Sequence, residues 1–487
     1  MVPERQFRTP LFDALVALAE ARKVSFHTPG HKSGKGISTR FRQFVGPKIF
    51  TIDLTTLDEV DCLQKPVGVI KEAQELAAEA YGADHSFFLV NGTTVGNQAM
   101  ILATAKPGDQ VLVARNAHKS ILAGIVLSGA IPRFFLPELD PELGIAWNVT
   151  GSALSTVMEL YPQAKILCLT SPNYYGVAAD LSTLIAKAKA QGMLALVDEA
   201  HGPHLRFHPD LPPSALESGA DICVQSTHKI VGGMTQASML HIKGDRVDLG
   251  RLRGVLYLLQ STSPSYILMA SLDLARMQMA TEGRKLLGKA IELAEGARAR
   301  INRIEGLYCL EAGLVERAGP YRLDVTKLTI STKALGLSGF QVSAILNAEF
   351  GVQVEMADLG NLLVIVSIGD RKDDLDRLVS ALTCIATRAE KGAPPIKPLI
   401  PPIQGDRLIL PPREAYFAPY EYVEVGEAAG RVSSEVVTLY PPGIPLLVPG
   451  EEVSPEVVDY LLFMTSQGAR VDGVRDSEPP CLRVLRD

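Results

Sequence analysis

The chain has 487 residues, 47% of them hydrophobic and 21% charged, with a formal net charge of −6. That length exceeds one simple core and implies a large domain with one or two smaller ones. The composition excludes a disordered chain, and the acidic balance excludes nucleic acid as a main partner, because gripping phosphates needs a basic face.

Residues 9–23 carry Leu11, Leu15, Leu18 and Ala19 at helical spacing, so a helix is expected there, ending before Ser25. The run SFHTPGHKSGKG (25–36) reads as a loop. Its His27, His31 and Lys32 form a polar patch without a Cys or acidic partner at ligand spacing, so no metal is expected. Residues 1–60 are therefore read as an N-terminal helix with a loop segment. The acidic stretch DLTTLDEVD (53–61) offers Asp53, Asp58, Glu59 and Asp61, either as partners for a cationic substrate or as a solvated acidic loop. From 71 to 242 strands and helices alternate. The β-type runs are SFFLV (86–90), QVLVA (110–114), KILCLT (165–170), MLALVD (193–198) and DICVQS (221–226). Between them lie Ala-rich helical stretches such as 181–192, closed by Gly192. Runs that are apolar throughout imply a sheet covered on both faces, and strand–helix alternation implies parallel connections. A layered α/β domain is expected over 61–285.

A long helical pattern over 276–301 leaves that domain, and a smaller α+β unit follows, bounded at 286–392. The run APPIKPLIPP (393–402), with five prolines in ten residues, reads as a stiff connector. A third unit covers 403–487 and includes YPPGIPLLVPGEE (440–452). The six cysteines contain no CxxC pair, and Cys168 and Cys223 lie inside apolar runs, where reduced thiols are usual. No run approaches the ~18 apolar residues of a membrane span. The first residues lack a signal-peptide pattern. No membrane partner and a cytoplasmic location are the expectations.

In an open α/β sheet, ligands gather at the carboxyl ends of the strands. Three polar clusters fall there: NGTTVGNQ (91–98), Asp198 in VDEAHG, and STHK (226–229), with Lys229 at 229 − 198 = 31 residues past Asp198. These are the parts a pyridoxal-phosphate enzyme needs. A lysine, Lys229, joins the cofactor aldehyde. A carboxylate, Asp198, keeps the pyridine nitrogen protonated so that the ring can accept electrons. A helix N-terminus with small hydroxyl residues holds the phosphate, a task suited to Gly92, Thr93 and Thr94, with Ser226 donating from the lysine loop. His118, following the strand at 110–114, is placed to pack on the ring face. Each has a plainer reading: a surface lysine, a helix N-cap at Asp198, a common Asn-Gly turn, a structural histidine.

DEAHG, QSTHKIVGGMTQASML, NGTTVGNQ, RNAHKS, FHTPGHKSGKG and STSPSY together resemble the Orn/Lys/Arg decarboxylases, from about Pro10 to Pro449. The resemblance implies the aspartate aminotransferase fold, with a mostly parallel seven-stranded sheet and smaller α+β C-terminal domains. It implies pyridoxal 5′-phosphate as cofactor and α-decarboxylation of arginine, lysine or ornithine, in polyamine synthesis. By it, Lys229 holds the cofactor, Asp198 pairs with the ring nitrogen and His118 stacks. Thr93, Thr94, Ser226 and His228 lie near the phosphate. Ser261 and Thr262 reach a neighbouring subunit's phosphate, so a homodimer or larger assembly is expected. The chain resembles the short type that lacks an N-terminal wing domain, and the inducible members carry Trp where it has His201. His201 stands within reach of cofactor or substrate, and Lys229 or His228 is the candidate proton donor to Cα. The rival readings are an aminotransferase or carbon–carbon lyase on the same cofactor, and a non-catalytic binding protein.

Overall fold

The unbroken apolar runs become strands of one seven-stranded sheet, because side chains on both of its faces meet helices. The computed structural model describes residues 2–486 apart from 391, 398, 404, 406, 441–443 and 476, so the centre of the YPPGIP motif lies outside the described residues. The strands are β1 (His85–Leu89), β2 (Gln110–Ala114), β3 (Ile131–Phe135), β4 (Ile166–Thr170), β5 (Leu194–Asp198), β6 (Ile222–Gln225) and β7 (Ser238–Ile242), in the order β1-β7-β6-β5-β4-β2-β3. Neighbours from β6 to β3 pair in parallel, whereas β7 is antiparallel to both β6 and β1. The sheet is thus mostly parallel, as expected, with β7 as its antiparallel member. The segment between β6 and β7 is too short for a crossover helix of the usual kind, so the chain turns straight back. Neither β3 nor β7 stood out in the sequence, since IPRFF is broken by Pro132 and Arg133 and SMLHI by His241.

Alternate residues of β2 face opposite layers. Val111 and Val113 pack against Val95 and Ile101 of helix α2 (Gly92–Thr104) and Ile121 of α3 (Lys119–Ser128), while Leu112 packs with Leu154 and Leu184 on the other face. The first helix, α1 (Pro10–Glu20), begins close to where its apolar spacing placed it. Helix α4 (Tyr266–Ile301) runs unbroken for 36 residues, so the boundary expected at 285/286 falls inside a continuous element. It ties the large domain to a four-stranded antiparallel sheet, β8 (Tyr308–Cys309), β9 (Lys327–Ser331), β10 (Met356–Ala357) and β11 (Asn361–Ile365), in the order β8-β9-β11-β10.

The C-terminal unit holds two three-stranded sheets around helix Pro455–Ser466. Arg115 of the large domain reaches it through a buried 2.7 Å ion pair with Glu451. All six cysteines are free, and among the described residues no helix is long and apolar enough to cross a membrane.

The N-terminal segment is fastened by one buried ion pair. Asp273 and Arg276 of α4 meet at 2.5 Å with both side chains fully buried. Asp273 accepts the N–H groups of Leu11 and Phe12 at the start of α1, and Arg276 donates to the carbonyls of Gln6 and Arg8. Arg276→Met leaves that carboxylate buried without its cation and is expected to destabilise the protein by about 3–5 kcal/mol in denaturant unfolding. The double change with Asp273→Leu should cost less than Arg276→Met alone. A larger loss would mean that the pair is not what the segment hangs on.

Candidate active site

Strands β5 and β6 are hydrogen-bonded parallel neighbours, with Asp198 opposite Val224, so their carboxyl ends open on the same edge of the sheet. Asp198 closes β5, and Lys229 sits in the short helix Thr227–Ile230 just past β6. Both line one cavity, about 440 Å³ with its mouth, whose wall also includes Thr93, His118, Tyr174 and His201.

Asp198 is 2% exposed. Its carboxylate accepts the Ala200 N–H at 3.1 Å and the Asn97 amide at 2.8 Å. No helix starts there, the next element being a single turn at Leu205–Phe207, so the N-cap reading of Asp198 falls away. Asn97 extends the network. Its amide also donates to Ser120 Oγ at 2.8 Å, and Ser120 Oγ lies 2.8 Å from His118 Nδ1, which takes the Ser120 N–H at 3.2 Å as well. His118 is thus the N-cap of α3, with Nδ1 as acceptor and its proton on Nε2. Burial lowers its pKa, with the Lys229 charge adding to the effect and Asp198 opposing it. Asn97 escaped the sequence reading although it stands in NGTTVGNQ. It is four residues after Thr93, one helical turn along the same face, and that spacing was the available signal.

At the other end of the cavity Thr93 Oγ1 lies 3.0 Å from Ser226 Oγ. Asn91 caps α2 without a side-chain bond, which leaves its opening N–H groups uncapped by that residue. Gly92 has φ +72 and open space where a Cβ would stand. Such an opening would hold a dianion, and Lys229 and Asp198 would supply the amine and the carboxylate that the rest of pyridoxal phosphate requires. The residues present fit the cofactor.

The remaining candidates sit elsewhere. Thr94 is exposed. His228 is outside the cavity wall, its Nδ1 3.1 Å from the Ala237 carbonyl, and burial lowers its pKa. Ser261 and Thr262 are exposed and not part of the cavity wall, and the Ser261 carbonyl accepts the Gln64 amide. His31 pairs with Asp53 at 3.1 Å, and Glu59 pairs with Lys23. Asp61 is buried and accepts backbone N–H groups from Cys62, Val67, Gly68 and Ile70, fastening the turn before helix Val69–Tyr81. A substrate-binding role is therefore removed for Asp61, whose oxygens are spent on the backbone.

His201 is 3% exposed and stands against the Tyr174 ring, centroids 4.5 Å apart. Its Nε2 is 2.8 Å from Lys229 Nζ and its Nδ1 3.2 Å from Lys327 Nζ. Burial drives the His201 pKa well below the ordinary value, the charges of Lys229 and Lys327 adding to it, and burial also lowers Lys229. Lys327 was invisible in the sequence, where it merely opens an apolar strand of the small unit.

The family described as "Orn/Lys/Arg decarboxylase, major domain" matches residues 9–374, and "Orn/Lys/Arg decarboxylase, C-terminal domain" matches residues 410–477. The arginine decarboxylase of Bacillus subtilis (strain 168) is 43% identical over 485 residues, 99% of each chain. The solved Francisella novicida lysine decarboxylase LdcF superposes with a TM-score of 0.86 at 23% identity, over 99% of this chain and 82% of that one. An alanine–glyoxylate aminotransferase from Nostoc sp. superposes with a TM-score of 0.51 at 20% identity, over 65% of this chain and 86% of its own, and so shares the core fold. With the paired amine and carboxylate in one cavity, the aminotransferase-like sheet and two family domains in sequence, the chain belongs to the Orn/Lys/Arg decarboxylase family of pyridoxal-phosphate enzymes.

Proposed function

We propose that this decarboxylase of basic amino acids acts on L-arginine, removing its α-carboxylate to give agmatine and CO2 as a step towards polyamines. The observation that carries the choice of arginine is the end-to-end 43% identity to an arginine decarboxylase, against 23% to the lysine enzyme of the same fold. When bound, pyridoxal phosphate supplies the electron sink for the broken Cα–carboxylate bond.

The chain's own residues do the rest. Lys229, whose pKa burial lowers, offers a neutral amine to the cofactor aldehyde. Asp198, oriented by Asn97 and Ala200, would hold the proton of the ring nitrogen. His118, locked by Ser120, would pack on the ring face. Thr93, Ser226 and the first N–H groups of α2 hold the phosphate. Lys229 Nζ rather than His228 gives Cα its proton, because His228 is outside the cavity wall. A second copy of the chain completes the site through Ser261 and Thr262. Exposed apolar side chains support this, with Val67 75% and Leu258 80% exposed on the segments flanking Ser261 and its partner Gln64. The free cysteines suit a reducing cytoplasm.

Three outcomes are expected. With pyridoxal phosphate present, CO2 and agmatine should form from arginine at least about tenfold faster, in kcat/KM, than the corresponding amines form from lysine or ornithine, the scale on which a pocket separates such homologues. A preference for either of those would overturn the substrate. Asn97→Ala removes a charge-assisted bond to Asp198 and should weaken cofactor binding about tenfold or more by absorbance titration. Unchanged affinity would detach Asp198 from the ring nitrogen. Sedimentation velocity should find at least two chains per particle, and a fully active monomer would refute the shared site.

A further inference from the structure

His201 stands between two lysines, one nitrogen for each, Lys229 at 2.8 Å and Lys327 at 3.2 Å. Lys327 opens β9 of the small unit and is 0% exposed. It packs under Gly176, where φ is +86 and an added Cβ would stand 2.8 Å from Lys327 Cβ, so a side chain at that turn would displace it. Asp324, fully buried beside it, is held by His204 Nε2 at 3.2 Å.

This arrangement constrains protons. A neutral imidazole has one N–H and one lone pair, while an ammonium has donors and no acceptor. His201 is neutral, since burial above all, with lysine charge beside it adding to the effect, holds its pKa well below the ordinary value. The lysine that faces the ring N–H must then accept, so both hydrogen bonds require at least one of the two lysines to be a neutral amine. With one lysine charged, the two arrangements are Lys327 as ammonium with the ring proton on Nε2, and Lys229 as ammonium with the ring proton on Nδ1. They differ by one proton passed through the ring.

We propose that Lys327 is a positioning residue that passes a proton through His201 to Lys229, leaving Lys229 a free amine while Lys327 carries that proton, supplying the proton that Lys229 then gives to Cα, and regaining its own from solvent. In that transfer the Lys327 Nζ–H bond breaks as Nδ1–H forms on His201, and the Nε2–H bond breaks as N–H forms on Lys229 Nζ. Decarboxylation takes up one proton per turnover at Cα, ultimately from solvent, so the reaction needs such a supply. The surrounding charges suit the exchange. Burial, with the Lys229 charge adding to it and Asp324 and Glu355 opposing, lowers Lys327 to about 8. Asp198 and Glu355 favour charge on Lys229, while His118 and His204 add to the depression of His201. A donor with a value near 8 gives and regains its proton readily at neutral pH.

The inference rests on Lys229 being the cofactor lysine. The experiment removes the cofactor and follows, by absorbance across pH, the rate at which added pyridoxal phosphate joins Lys229, beside kcat and KM of the reloaded enzyme. In Lys327→Met the pH midpoint of joining should rise by about one unit or more, because Lys229 no longer faces a competing cation, and kcat should fall at least about tenfold with KM little changed. Lys327→Arg keeps a cation that cannot release its proton, so the midpoint should stay at or below that of wild type while kcat still falls. His201→Gln, which can bond to both lysines but cannot relay, should lower kcat in the same way, and it carries the test if Lys327→Met does not fold. An unmoved midpoint in Lys327→Met, or near-normal kcat in Lys327→Arg or His201→Gln, would overturn the relay. Loss of the pH-dependent absorbance change in Lys229→Ala, with wild type intact, keeps the two readings separable; its retention would sink the assignment of Lys229 itself.

Discussion

Parallel pairing of β5 with β6 is the constraint on which the rest depends. Parallel neighbours lie about 4.8 Å apart and end on the same edge, so the residue closing one strand and the residue just past the other must share a rim. Asp198 and Lys229 are those residues. The helices opened by Gly92 and Lys119 start from the same edge, because β1 leads into the first and β2 into the second, and they bring Thr93 and His118 to the common cavity.

Burial then creates the chemistry and imposes its cost. A carboxylate and an amine withdrawn from water are tolerated only with partners. Asp198 receives the amides of Asn97 and Ala200, and Lys229 receives His201. The same burial favours uncharged forms of the basic groups. It therefore yields an amine able to attack an aldehyde and an imidazole with one donor and one acceptor, neither of which an exposed site would hold at neutral pH to the same degree.

The small and C-terminal units are attached to the large domain by different means. The small unit hangs on the continuous helix α4 and sends Lys327 into the wall behind His201. The C-terminal unit is held by the Arg115–Glu451 pair, and Arg115 belongs to the same RNAHKS segment that carries His118. One stretch of chain thus both lines the cavity and anchors the unit beside it.

The central strands, the first helix, the Asp198–Lys229 pair and the hydroxyl cluster at Thr93 and Ser226 were legible by sequence alone. Local rules act over a few residues: apolar continuity marks a buried strand, and polar residues at a strand's carboxyl end mark a site. Asn97 was within reach of helical spacing and was passed over. The antiparallel seat of β7, the spending of Asp61 on backbone N–H groups, the displacement of His228 from the cavity wall and the arrival of Lys327 at His201 were decided only by tertiary structure. Each depends on which distant segment packs alongside. No local pattern records that a lysine opening a small-domain strand will meet a histidine on a loop of another domain, because the contact is made by folding and not by spacing.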